Sequence, residues 1–94
     1  MPERLHLLHY DYVEGILEKR APHRDAHLAY ARRWKDEGRI LLAGVVGDPP
    51  TGALFVFRVE DPAELERFAE EDPYVHAGLV TARRVEPWMV VIGD

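Results

Sequence analysis

Three short apolar runs in the sequence do not alternate between apolar and polar residues. They are ILLAGVV (40–46), ALFVFRV (53–59) and WMVVI (88–92). Because successive side chains of a strand point to opposite faces of a sheet, each run predicts a strand that is apolar on both faces. An antiparallel sheet with one face in water would show alternation instead. The sequence therefore predicts a sheet whose two faces are both covered.

The remaining segments complete an α+β pattern. In chain order we predict a strand (4–10), a short helix (12–20), a helix (23–37) ending at Gly38, two strands joined by the turn GDPPTG (39–46 and 53–59), a helix from Pro62 with Asp61 as its N-cap, one helical turn (74–78) and a strand (82–92) broken by Pro87. The order β-α-β-β-α-β is that of the ferredoxin-like fold, a four-stranded antiparallel sheet with helices on one face. We expect residues 1–94 to form one domain of this class.

Two helices can cover only one face of such a sheet, so the other face needs a partner. A two-fold homodimer that packs sheet against sheet through the open face meets this need. The alternative is a large exposed apolar patch, which is rare on soluble monomers. The sequence therefore predicts a homodimer.

Composition narrows the classes of partner and chemistry. Hydrophobic residues make up 47% and charged residues 31% of the 94 residues, an ordinary globular balance. The net charge of −5 and the lack of a basic run argue against nucleic acid. The chain has no cysteine for disulfides or thiolate catalysis. We expect no membrane association and a cytoplasmic location, because no stretch resembles a signal peptide or a membrane span. The lack of Ser, Asn and Gln indicates either a heat-adapted organism or a GC-rich genome.

His27 is the first candidate for chemistry. On a helical wheel it shares the stripe of Tyr30 and Trp34, which faces the sheet. Imidazole is suited to general acid–base work near neutral pH. The alternative is a core histidine with satisfied hydrogen bonds. His23 and His27 also have the i, i+4 spacing of metal ligands, but a metal site needs about three protein ligands. We therefore predict no metal and no cofactor, with a metal site on this pair as a weaker hypothesis.

Asp72 is the second candidate. It lies four residues after Phe68 and three after Ala69, so it continues the inward stripe of that helix. With Pro73 after it, Asp72 is also a natural N-cap for the next turn. The two roles are compatible because a carboxylate has two oxygens. If His27 and Asp72 meet, they form a carboxylate-oriented imidazole like those of general-base sites.

Four segments of the chain resemble the YCII-related (YciI-like) family. They are RDAHL (24–28), DEGRILLAG (36–44), FAEEDPYVHAGLV (68–80) and VEPW (85–88), of which DPYV-x-AGL is the most specific. The resemblance covers about residues 11–91. It implies a ferredoxin-like fold of the dimeric α-β barrel type, similar to muconolactone isomerases. It also implies that the active pair is the histidine of the R-x-x-H-L motif and the aspartate of the DPY motif, which are His27 and Asp72 here.

The resemblance further implies a lyase or isomerase that acts by proton transfer on a small molecule such as a muconolactone-type carbonyl compound. We predict a cofactor-independent enzyme in which His27 is the general base or acid and Asp72 orients it. Arg24, Tyr74 and Gly44 are the predicted substrate-binding residues, with Arg24 holding an anionic group. The alternative is a small-molecule-binding or accessory domain without turnover, because a fold alone does not confer catalysis.

Overall fold

The strands and helices follow the order β-α-β-β-α-β, and the computed structural model describes residues 4–93. The elements are β1 (Arg4–Tyr12), α1 (Ile16–Lys19), a 3₁₀ turn (Ala21–His23), α2 (Arg24–Asp36), β2 (Ile40–Val46), β3 (Gly52–Phe57), α3 (Ala63–Glu71), α4 (Pro73–His76) and β4 (Val80–Met89). The strands form one antiparallel sheet in the order β2-β3-β1-β4. This confirms the predicted ferredoxin-like α+β fold.

The helices α2 and α3 cover one face of the sheet. The register pairs Leu8 of β1 with Phe55 of β3, and both side chains are buried beneath the helices. The ring of Phe68 on α3 lies 4.9 Å from that of Tyr30 and 5.2 Å from that of Trp34, both on α2. Each large apolar side chain buried in this way stabilises the fold by about 1.5–3 kcal/mol. The core therefore lies between the two long helices and the sheet.

The helix ends follow local signals in the sequence. Gly38 has a φ of +81°, which closes α2 as predicted because glycine adopts left-handed geometry without steric cost. The helix α3 begins at Ala63, one residue later than predicted, and the Ala63 N–H donates to the Asp61 carboxylate at 2.9 Å. No helix within residues 4–93 is both long and apolar enough to cross a membrane.

The prediction that Pro87 breaks the last strand is wrong. β4 runs without interruption from Val80 to Met89, and Pro87 pairs with His6 of β1. β4 is an edge strand whose single neighbour is β1. An edge strand tolerates proline because one of its two sides needs no N–H donor for the ladder. The strand ends at Met89 rather than at the predicted residue 92.

The face of the sheet away from the helices, called the open face below, is apolar at one end. The register places Leu42, Val56 and Leu7 side by side across three strands, and Leu5 next to Trp88. Leu42 is 71% exposed and Trp88 is 43% exposed. This end of the open face has the character that the sequence predicted.

The middle of the open face is more polar than predicted. His9 of β1 lies opposite Arg84 of β4 on this face, and Glu86 lies one row away. The Nε2 atom of His9 is 3.1 Å from the Glu86 carboxylate. The apolar runs belong to β2, β3 and the end of β4, so they did not reveal the polar residues that neighbouring strands add to the same face.

Candidate active site

His27 and Asp72 meet between α2 and the start of α4. His27 lies in the first turn of α2, on the buried face that it shares with Tyr30 and Trp34. Asp72 has extended backbone between α3 and α4, and its Oδ1 atom accepts a hydrogen bond from the Tyr74 N–H at 3.0 Å. The same oxygen is 2.7 Å from Nδ1 of His27. The aspartate thus caps a helix and contacts the imidazole at once.

Asp72 is 0% exposed, and both of its carboxylate oxygens accept hydrogen bonds. Its Oδ2 atom accepts from the Tyr10 hydroxyl at 2.8 Å, while Oδ1 accepts from Tyr74 and contacts His27. A buried carboxylate is costly unless such partners replace water. Because an ionised carboxylate only accepts hydrogen bonds, the imidazole donates from Nδ1, and the neutral ring has no proton on Nε2. In this tautomer the Nε2 atom has a lone pair that can accept a proton.

Tyr10 is a partner of the pair that the sequence analysis missed. Burial raises the pKa of Tyr10 well above its usual range, and the charge and hydrogen bond of Asp72 raise it further. The phenol therefore keeps its proton and donates it to the carboxylate. The alternation of side chains along a strand could have revealed it. Tyr10 follows Leu8 by two residues, so both side chains point to the helix-covered face of the sheet.

The ring of Tyr74 stacks on the imidazole of His27. The two ring centres are 3.8 Å apart and the planes differ by 4°. Phe55 approaches the same imidazole edge-on at 6.3 Å. Burial raises the pKa of Tyr74, and the guanidinium groups of Arg20 and Arg24 lower it in part. The imidazole is thus fixed by a hydrogen bond at one edge and by a ring on one face.

A cavity of about 310 Å³ opens beside His27. Its residues come from the sheet, from α2, from the segment before α2 and from α4: Ala43, Gly44, Val45, Ala53, Phe55, Tyr12, Arg24, His27, Leu28, Ala31, Arg20 and Tyr74. Since Nδ1 of His27 is occupied by Asp72, Nε2 is the nitrogen available to this space. A volume at the small end of ligand pockets suits a molecule with about one ring.

The predicted substrate-binding residues Arg24, Tyr74 and Gly44 all line this cavity. Gly44 does so only through backbone, since it has no side chain. Arg20 and Tyr12 also line the cavity, and sequence reasoning missed both. No motif marks either residue. Tyr12 is the last residue of β1, and the position of Arg20 depends on how α1 and the 3₁₀ turn join β1 to α2.

The weaker hypothesis of a metal site on His23 and His27 finds no ligand set. Within residues 4–93 there is no group of three or more His, Asp or Glu side chains placed to hold a metal ion. His27 directs one ring nitrogen to Asp72 instead. The arrangement is a buried imidazole in contact with a buried carboxylate.

A larger groove of about 910 Å³ is lined by residues of α2, α3 and α4 and by residues just after α2. It includes Arg33, Arg39, Glu37 and Glu71 but neither member of the pair. Arg39 is engaged in ion pairs, for example with Glu37 at 3.3 Å. We place the candidate active site in the smaller cavity because that cavity contains the imidazole.

Sequence comparisons give matches over nearly the whole chain. A family model of the YCII-related domain matches residues 5–89. Protein YciI of Escherichia coli O6:H1 is 37% identical over 96 residues, covering 93% of this chain and 98% of that protein. An uncharacterized protein of Haemophilus influenzae is 31% identical and covers 84% of this chain and 90% of its own length.

Solved structures give matches of the same extent. The 5-chloro-2-hydroxyhydroquinone dehydrochlorinase TftG of Burkholderia phenoliruptrix AC1100, in complex with 2,5-dihydroxybenzoquinone, has a TM-score of 0.75 and 32% identity, covering 89% of this chain and 92% of that chain. A Shewanella oneidensis protein has a TM-score of 0.58 and 20% identity, covering 95% and 91%, and shares the fold alone. The structural neighbours have the dimeric α-β barrel fold.

Proposed function

The chain belongs to the family of YCII-related domains, and from this premise we propose that it is a cofactor-independent enzyme that transfers a proton at a small carbonyl compound. The observation that carries the proposal is the 2.7 Å contact between Nδ1 of His27 and the buried Asp72 carboxylate, beside a cavity that His27 lines. His27 is the proposed general base and acid. Asp72 is the proposed positioning residue that holds its tautomer.

The proposed reaction begins when Nε2 of His27 removes a proton from the carbon next to a carbonyl. The electron pair of that C–H bond moves to the carbonyl oxygen and gives an enolate, while the Asp72 carboxylate stabilises the imidazolium. In an isomerisation, the imidazolium returns the proton to a different carbon. In a lyase reaction, the electron pair of the enolate instead expels a leaving group as its anion from the carbon next to the deprotonated one, and the imidazolium then gives its proton to the leaving group or to solvent. Both outcomes balance without a redox partner.

Three further residues have proposed roles in substrate binding. Arg24 at the rim of the cavity supplies positive charge to an anionic group of the substrate. Tyr74 supports the imidazole from one face. Gly44 exposes the backbone of β2, so a ligand can approach that strand closely.

The similarity to TftG guides the choice of test compounds. That protein is a dehydrochlorinase, and its structure holds a carbonyl compound with one ring. A single ring also suits the cavity of about 310 Å³ in this chain. We therefore propose one-ring hydroxyquinones, chlorinated hydroxyhydroquinones and muconolactones as the first substrates to screen.

The test is a turnover assay on this panel with three variants. If a substrate is found, we expect His27→Ala and Asp72→Asn each to lower kcat by about 10²–10⁴-fold, the range for loss of a positioned acid–base group. His76→Ala is the control, because His76 is exposed and lies outside the cavity. Unchanged turnover in His27→Ala would show that the proposed mechanism is wrong.

We also propose that the protein is a homodimer formed through the open face. The apolar end of that face leaves Leu42 and Trp88 exposed in the single chain, and apolar patches of this kind commonly mark interfaces. The active-site cavity lies on the opposite, helix-covered side of the sheet. Dimerisation and ligand binding would therefore use different faces.

A further inference from the structure

We propose that Arg20 and Arg24 together bind an oxyanion at the rim of the cavity, so that the ligand is a one-ring molecule carrying a carboxylate or an ionised ring oxygen. That this ligand is the substrate rests on the proposed function. The inference assigns a second guanidinium, that of Arg20, to the site and identifies the substrate as an anion.

The two arginines are joined by a short, ordered segment. Arg20 is the C-cap of α1 and Arg24 begins α2, with the 3₁₀ turn Ala21–His23 between them. The His23 N–H donates to the Arg20 carbonyl at 2.8 Å, and Pro22 restricts the backbone of the turn. Both arginines line the cavity. Their backbone positions are thus set by the fold rather than by a mobile loop.

Neither arginine has an ionic partner among the described residues 4–93. Arg39 and Arg83, by contrast, lie 3.3 Å and 3.5 Å from glutamate oxygens. The residues that line the cavity include no aspartate or glutamate. The protein carries a net charge of −5, yet this concave site is rimmed by two arginines that have no ionic partner in the described part of the chain. Such a site attracts anions more strongly than isolated surface arginines do.

The positive charge of the two arginines affects the tyrosines that line the cavity. Burial raises the pKa of Tyr12 and Tyr74, while Arg20 lowers both in part and Arg24 lowers that of Tyr74. The pKa of each phenol is still raised overall, so both keep their protons at neutral pH. An oxyanion at the rim would meet guanidinium donors in the same space that the imidazole of His27 faces.

Away from the two arginines, most of the side chains that line the cavity are apolar, and they favour an apolar ring in the ligand. Leu28 and Ala31 form its helix side, and Val45, Ala53 and Phe55 form its sheet side. An apolar ring fits against these side chains, with its anionic group directed to the rim. Guanidinium groups recognise carboxylate-like oxygens through paired, charge-assisted hydrogen bonds. The site therefore selects an amphipathic anion over a neutral ring.

The test measures equilibrium binding by NMR titration with three probes: benzoate, its neutral counterpart benzamide, and 2,5-dihydroxybenzoquinone, whose acidic ring hydroxyls ionise. We expect both anions to bind at least about tenfold more tightly than benzamide, the factor that loss of one charge-assisted contact brings. Arg20→Gln and Arg24→Gln should each weaken anion binding about tenfold and leave benzamide unchanged. Arg32→Gln is the control, because Arg32 lies on α2 outside the cavity.

Three results would overturn the inference: neither anion binding more tightly than benzamide, no difference between Arg20→Gln or Arg24→Gln and the Arg32→Gln control, or no anion binding at millimolar concentration. Circular dichroism confirms that each variant is folded. Tighter binding of benzoate assigns a carboxylate head group, and tighter binding of the quinone assigns a ring oxyanion.

The binding assay is independent of turnover, so it separates this inference from the proposed function. Arginine-dependent anion binding in a protein without turnover would support the anion site and contradict the enzyme. Turnover of neutral compounds that Arg20→Gln and Arg24→Gln leave unchanged would support the enzyme and contradict the anion site.

Discussion

Among single residues, Asp72 connects the fold to the candidate chemistry. Its Oδ1 atom accepts the Tyr74 N–H and so starts α4, while the same atom contacts His27 and Oδ2 accepts from Tyr10. A fully buried carboxylate with three partners is held in one position. The imidazole that depends on it is therefore held in one tautomer.

Asp72→Asn should change that tautomer. The wild-type imidazole of His27 is expected to carry its neutral-form proton on Nδ1, as ¹⁵N chemical shifts would show. An asparagine can present an N–H to Nδ1 instead, so the variant should populate the Nε2–H form. It should also lose about 1–3 kcal/mol of unfolding free energy, because a buried network loses an acceptor. A wild-type ring protonated on Nε2 alone would contradict the assignment.

Tyr10→Phe removes one donor from the same carboxylate. The Oδ2 atom of Asp72 would lose its partner at a fully buried position, so we expect a loss of about 1–3 kcal/mol in the free energy of unfolding by urea. Tyr12→Phe is the matched control, because the Tyr12 hydroxyl makes no hydrogen bond to any described residue. Equal losses in both variants would show that the contact with Asp72 contributes nothing specific.

Among elements, the pairing of β1 with β3 depends on one glycine. Gly52 pairs with Asp11, and a Cβ atom at position 52 would overlap the carbonyl oxygen of Tyr10. A side chain at this position would therefore move β1 or β3 near the residues that hold Asp72. The strand pair and the site share this close contact.

Gly52→Ala should destabilise the protein by about 1–3 kcal/mol or more, as expected when an atom is added to a packed position. Gly44→Ala is the matched control on the neighbouring strand, because its Cβ would have no atom within 4 Å. That change should be neutral or stabilising by up to about 1 kcal/mol. Thermal unfolding of both variants measures the difference, and equal melting temperatures would contradict the close contact.

At the scale of the whole molecule, the two faces of the sheet have different environments. The helix-covered face holds the core and the cavity, and the open face carries exposed apolar residues at one end and His9, Arg84 and Glu86 nearer its middle. The proposed homodimer would bury both groups. The stability of the proposed dimer would therefore depend on both groups of residues.

Leu42→Glu should weaken the proposed dimer more than tenfold, because it places a charge in the apolar part of the open face. Leu17→Glu is the control, since Leu17 is also exposed but lies on α1 rather than on the sheet. Sedimentation velocity over a range of concentrations measures the association. A wild-type protein that is monomeric at all concentrations would contradict the proposed dimer.

The four tyrosines predict how the folded state responds to alkali. The pKa values of Tyr10, Tyr12, Tyr30 and Tyr74 are all raised, with burial as the largest cause. Above about pH 10, the ordinary phenol value, the unfolded chain loses protons that the folded chain keeps, so the free energy of unfolding falls as pH rises. Tyrosinate absorbance should appear only together with unfolding. Titration of folded tyrosines near pH 10 would contradict this.

The sequence by itself determined the features that depend on local spacing. The period of a helix placed His27 and Phe68 on inward faces, and a residue before proline identified Asp72 as a cap. The non-alternating runs predicted the strands of an α+β fold. The structure confirms the predicted fold. Each of these signals acts within a few residues, and the tertiary contacts are consistent with the elements that the signals predict.

Only the tertiary structure decided the features that depend on which segments become neighbours. Tyr10 reaches Asp72 across 62 residues of sequence, and Arg20 reaches the cavity rim through the path of the chain before α2. Pro87 is tolerated because β4 lies at an edge, and His9 makes the open face polar because the register sets it opposite Arg84. Strand order and register arise from the packing of distant segments, so no local pattern in the sequence contains them.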